Sequence, residues 1–278
     1  MIKSLSPYLR GLIEGETNYA EPFVGGGSVA LSVAALDPNI RLHLNDLDDL
    51  VAAVWTVVSG SRDQVEDLAQ RLEATKPTVA LWDEVKASQP QDLVGKAFKC
   101  IFLNKTSFNG QLDFSSPIGG REQQGKAGGK GVWLIDCQFT PSTLRRLLFK
   151  NHALLSGRTT VSQQHFRDFL PSKRDMALFL DPPYFPSAKT NKLYRVQMGM
   201  PEHEELAALM HASRKWIMTY DFSGDVAKRL YIQDDEDMVL LKVRYSSSSV
   251  SKSGTWKKDR ELLAVKGLDT SKIFPKSA

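Results

Sequence analysis

Cysteine is scarce in this chain: of 278 residues only Cys100 and Cys137 are cysteines, and they form no Cys-x-x-Cys unit. The five histidines build no ligand cluster with them, so neither a disulfide framework nor a zinc site is expected, and a reducing cytosol is. Long hydrophobic runs are missing as well. No stretch of about 18 apolar residues occurs, and the opening MIKSLSPYLRGLIEG lacks the apolar core of a signal peptide. Charge of one sign is nearly balanced, with 36 Lys+Arg against 32 Asp+Glu and a net charge of +4. That balance permits a nucleic-acid partner without demanding one. Internal repeats and low-complexity tracts are lacking too, which leaves a chain long enough for one α/β domain with a sizeable core and a smaller insert.

What is present centres on FLDPPYF, residues 179–185. The preceding MALFL reads as a short buried strand, and two prolines cannot continue a strand or a helix. The chain must stop in a stiff turn that gathers the Asp181 carboxylate, the carbonyls beside Pro182 and Pro183, and the Tyr184 ring. Acceptors beside a flat stacking surface suit a planar amine. A second feature lies early: a strand-like TNYAEPFV runs into GGGSVALSVAAL and then the strand RLHLNDLD, a strand, glycine turn, helix, strand unit. Gly25 and Gly27 sit where a ligand can approach the backbone and a helix N-terminus. Asp46 follows about 20 residues later, where an acid can bond a ribose diol or cap the next helix. The third position of a Gly-x-Gly-x-x-Gly fingerprint is Ala30, which argues against a nicotinamide dinucleotide. Glu21 is placed to meet the ammonium of a cofactor with an amino-acid tail.

Between these two features the strand rhythm lapses. From 59 to 150 helical stretches such as DQVEDLAQRLEA and VGKAFKCIFLN give way to the loop PIGGREQQGKAGGKG. From 151 on, HALLSG, the strand before DPPYF, the helix PEHEELAALMHASR and the strands KWIMTYD, DMVLLKVRY and RELLAVKG restore α/β alternation. The expected organisation is a first part of the catalytic domain at 1–58, a helical insert at 59–150 and a second part at 151–278.

In this order EPFVGGGSV, NDLD, FLNKTSFNGQ, PIGGREQ, DPPY and SSSSVSKSGTWKKDRELLAV resemble the Dam-like family of adenine-specific DNA methyltransferases, from Glu21 to Val265. DPPY alone is shared with RNA amino-methyltransferases, which are not expected to carry the FLNKTSFNG and PIGG segments; a DNA-binding relative without catalysis is the other alternative. The resemblance implies a Rossmann-like methyltransferase fold with a mostly helical target-recognition insert, S-adenosylmethionine as cofactor, double-stranded DNA as partner, and no metal or obligate protein partner. It places the cofactor against Glu21, Pro22, Phe23, Gly25, Gly27, Asp46, Phe166 and Asp181, and catalysis on Asp181, Pro182, Pro183 and Tyr184. Asp181 and the Pro182 carbonyl would each accept a hydrogen of the 6-amino group of a flipped adenine while Tyr184 stacks on the base. DNA contacts are expected from Phe108, Asn109, Gln111, Arg121, Lys126, Lys130, Lys252 and Lys257, groups that read base edges, wedge into a stack or grip phosphates. One departure is the opening MIKSLSPYL, in which only Lys3 can stand for the family's aromatic and Gly-Gly-Lys turn.

Overall fold

The structure, a computed structural model, describes residues 2–113, 115–123, 133–185, 195–221, 227–232, 238–243 and 259–269. It divides into two compact units, one of residues 1–47, 162–191 and 196–278, the other of 48–161 and 192–195. Among the described residues no helix is long and apolar enough to cross a membrane.

The first unit begins with α1 (Ile2–Ile13), β1 (Asn18–Glu21), α2 (Ser28–Leu36) and β2 (Arg41–Asn45). The second unit holds α3 (Asp49–Ser59), α4 (Arg62–Ala74), α5 (Val79–Ala87), α6 (Leu93–Thr106), a 3-10 turn Phe108–Gly110 and α7 (Pro141–Leu155). After β3 (Thr159–Ser162), the first unit resumes with α8 (Phe166–Phe169), β4 (Ala177–Leu180), α9 (Met200–His211), β5 (Lys215–Asp221), a π-helical turn Ala227–Tyr231, β6 (Met238–Val243) and β7 (Asp259–Lys266).

Among the described residues seven strands form one sheet in the order β3-β2-β1-β4-β5-β7-β6. β1 runs parallel to β2 and β4, and β4 parallel to β5, whereas β7 is antiparallel to both β5 and β6. This is a Rossmann-like sheet. All four residues of β4, ALFL, are buried, as an apolar run must be when a parallel strand is covered on both faces. Leu178, Leu180, Trp216, Met218, Tyr220, Leu206 and Phe166 share one core, each such side chain contributing roughly 2 kcal/mol of apolar burial. The strand order reverses between β1 and β4. In open α/β sheets the crevice at the carboxyl ends of strands at such a reversal is where ligands bind.

The second unit is helical because its helices start on good caps. The side chains of Asp48, Ser61, Thr78 and Asp92 accept first-turn amides of α3, α4, α5 and α6 in turn. α6 buries Phe102 and Leu103 and packs on α3 and α4, while α4 packs on α7. The compact units divide at 47/48 and 161/162, with α3 and α7 packed within the helical unit. HALL of HALLSG completes α7, and the strand that follows is β3.

Candidate active site

Three loops meet at the carboxyl ends of β1, β2 and β4. The first is the glycine turn, where β1 ends at Glu21 and α2 begins after Gly27. Gly25 and Gly27 take positive φ, 44° and 63°, which L side chains rarely adopt. A Cβ added at Gly25 or Gly26 would meet nothing within 4 Å, so open space lies beside the turn. The α2 N-terminus has no side-chain cap.

Asp46 reaches into this turn: its Oδ2 accepts the Gly25 N–H at 2.8 Å. The cap of α3 is Asp48, whose Oδ1 accepts from Leu50 and Val51, so the helix-cap alternative for Asp46 does not hold. Asn45, one residue earlier and almost wholly buried, was not singled out in the sequence. Its Nδ2 donates to the carbonyls of Pro22 at 3.0 Å and Gln164 at 2.9 Å, and its Oδ1 accepts from Ser162 Oγ and the Gln164 N–H. One amide thus uses both donor hydrogens and both acceptor sites to tie the loops after β1, β2 and β3 together.

Glu21 is 2% exposed, and its Oε2 accepts the Tyr19 hydroxyl at 2.8 Å. Burial, with the charges of Asp181 and Asp46 adding to it, pushes its carboxyl well above the usual range, against the bond from Tyr19. Glu21 therefore feels the charge of both other acids named from the sequence. Phe23 and Phe166 also meet, ring centroids 5.7 Å apart. Phe166, at 3% exposed, belongs to the core as the first residue of α8.

Asp181 is the residue immediately after β4. Its Oδ1 accepts the Thr219 hydroxyl at 2.9 Å, a partner from β5 that no local motif marks. Pro182 is buried, and Pro183 and Tyr184 are half-buried. The Tyr184 ring meets Tyr220 edge-on at 5.2 Å, and the Phe185 N–H donates to the Tyr220 hydroxyl at 2.7 Å.

A second candidate site lies in the helical unit, at the tip of α6. Phe108 is 60% exposed, on a turn where Asn109 and Gly110 take φ of 58° and 69°. Behind it the backbone is braced: Trp82 Nε1 donates to Ser107 Oγ, Phe108 N–H to the Ser116 carbonyl and Asn104 Nδ2 to the Gly110 carbonyl. Gln111 follows, half-buried. Arg121 makes a two-pronged ion pair with Asp83, both bonds 2.9 Å, so its charge is already partnered. Lys126, Lys130, Lys252 and Lys257 lie outside the described residues, as does the side chain of Lys3.

The family profile of D12 class N6 adenine-specific DNA methyltransferases matches residues 3–247. The chain belongs to that family. It is an adenine-specific DNA methyltransferase, and membership separates it from the RNA enzymes that share Asp-Pro-Pro-Tyr. The match ends before most of the SSSSVSKSGTWKKDRELLAV segment. A search of curated proteins finds no match.

Proposed function

We propose that this methyltransferase takes its methyl group from S-adenosylmethionine and places it on the exocyclic 6-amino group of an adenine flipped out of duplex DNA. The observation that carries the reading is that the two strands flanking the strand-order reversal end at Glu21 and just before Asp181, with Asp46 bonded into the glycine turn and Pro-Pro-Tyr continuing from Asp181. A cationic ligand fits this place, because it offsets the burial, and with it the neighbouring acids, that raise the Glu21 carboxyl, and the open space beside Gly25 and Gly26 admits it. Glu21 would take the ammonium of the amino-acid tail, Asp46 a ribose hydroxyl, and Pro22, Phe23, Gly25, Gly27 and the edge of Phe166 the remaining surface. Bound there, S-adenosylmethionine supplies an electrophilic methyl group on a sulfonium.

The work left to the chain is to make a poor nucleophile attack. The amine of adenine has its lone pair delocalised into the ring. Asp181 and the Pro182 carbonyl each accept one of its hydrogens and draw the nitrogen toward a tetrahedral shape, while Tyr184 stacks on the base. Extruding the base costs a few kcal/mol, offset by phosphate contacts and by Phe108 and Asn109 beside the vacated stack. Gln111 would read a base edge, and Lys126, Lys130, Lys252 and Lys257 would grip phosphates. Arg121 can join them only by exchanging Asp83 for a phosphate, a small cost at an exposed ion pair.

A duplex carrying 2-aminopurine at the methylated adenine tests the reading. Its fluorescence should rise on adding protein and a non-reactive cofactor analogue, and should not rise for 2-aminopurine elsewhere. Equal response at every position, or methylation of single-stranded RNA in preference to the duplex, would sink the proposal.

A further inference from the structure

The prolines leave the catalytic segment with a mechanical problem. Asp181–Phe185 contains two residues without an N–H, so it cannot be held by a strand ladder. We propose that β5 supplies the missing hold as a two-point brace, in which Thr219 orients the Asp181 carboxylate and Tyr220 fixes the Phe185 amide. The proposal rests on the reading that Asp181 accepts a hydrogen of the target amine; Thr219 and Tyr220 are positioning residues that act through the segment.

The sheet brings the partners side by side. β4 and β5 run parallel, and their pairing ends at Leu180 opposite Met218, so the next residues along are Asp181 and Thr219. Thr219 is wholly buried in the apolar run WIMTY, where a hydroxyl is costly unless it is bonded. Its bond to the Asp181 carboxylate, at 2.9 Å, accounts for it. Because threonine is β-branched its χ1 is stiff, and a stiff donor to a charged acceptor fixes where that acceptor points.

The other end of the segment is held by Tyr220, 2% exposed, whose hydroxyl accepts the Phe185 N–H at 2.7 Å. Adjacent strand residues point to opposite faces, so the two contacts grip the segment from different sides. Tyr220 is itself immobilised. The wholly buried His203 ring stands edge-on to it at 5.7 Å and 89°, and bonds through Nδ1 to the Tyr231 hydroxyl. Burial lowers the His203 pKa to about 4, which keeps that ring neutral around pH 7.

Thr219→Val keeps shape and branching and removes only the hydroxyl. At saturating DNA and cofactor its single-turnover rate should fall roughly tenfold to a hundredfold, the range for losing a bond to a charged group, with cofactor and DNA affinities unchanged. Thr219→Ser should recover the rate to within about threefold, since the donor returns. Tyr220→Phe should lower the rate by roughly tenfold with the same unchanged affinities. Thr219→Val at the wild-type rate, or Thr219→Ser as slow as the valine variant, overturns the first contact; Tyr220→Phe at the wild-type rate overturns the second. A wild-type protein that methylates no adenine defeats the underlying reading instead, and is distinguished by needing no variant.

Discussion

At the carboxyl ends of β1, β2 and β4 the candidate side chains are held by hydrogen bonds within the protein, whereas at the turn after α6 Phe108 and Asn109 stand out into solvent. Asn45 and Thr219 are 1% and 0% exposed and each spends its polar atoms on holding a loop, while Phe108 is 60% exposed on a turn braced from behind. The difference matches the roles proposed for the two regions. Acceptors that stabilise a developing charge act without reorganisation only if they are already in place. A surface that meets DNA must instead stay open, and its charges work through the salt-sensitive release of counterions. Changes in the first region should therefore act on rate, cofactor affinity or stability, and changes in the second on DNA affinity.

The largest effect is expected from Asp181→Ala. Methyl transfer at saturating substrates should drop by more than about a hundredfold, on the order of 3 kcal/mol, with cofactor and DNA binding largely kept. A variant retaining a tenth of the wild-type rate in a single-turnover assay would break the distinction. Asn45→Ala comes next, because it strands the buried carbonyl of Pro22 and removes the bonds to Gln164 and Ser162. It should cost roughly 2–4 kcal/mol of stability in denaturant titrations and weaken cofactor binding, and an unchanged midpoint would contradict the tie between the three loops.

Asp46→Ala should weaken cofactor binding by roughly tenfold with little change in rate at saturation, because ribose bonds form in ground and transition states alike. Calorimetry with cofactor alone measures it. Glu21→Gln should show a trade of stability against function. The folded-state pKa of Glu21 is raised above its unfolded value, so the stability tied to it is fully present below the unfolded pKa and lost as pH rises through the folded one. The glutamine variant without ligand should therefore melt higher than wild type at pH 8, with the gap closing toward pH 4, while binding the cofactor more weakly. A variant less stable at pH 8 would be evidence against a strained carboxyl.

The smallest effect is expected in the insert loop. Replacing Lys126 and Lys130 together by Ala should weaken binding to all DNA sequences alike and lower the slope of log affinity against log salt by up to about two units. A shift of preferred site would mean that these lysines read bases, and the split between gripping and reading would move.

The candidate site is legible in the sequence where its chemistry is local. The glycine turn, Asp46 and Asp181-Pro-Pro-Tyr184 each announce themselves within a few residues, because left-handed turns and strand ends constrain residue type directly. Thr219 and Tyr220 carry no such mark. They matter only because β5 lies beside β4, a fact of sheet order that KWIMTYD cannot express. Asn45 was hidden in plain view within NDLD, its role set by Pro22 and Gln164 far along the chain. The grouping of α3 and α7 with the helical unit is not legible for the same reason, since it rests on their packing against α6 and α4.

The most direct measurement is isotope transfer. S-adenosylmethionine labelled in its methyl group, incubated with the protein and duplex DNA of mixed sequence, should leave label in N6-methyladenine after digestion to nucleosides, and Asp181→Ala should leave almost none. Label on cytosine, label in RNA but not DNA, or equal labelling by wild type and Asp181→Ala would contradict the account.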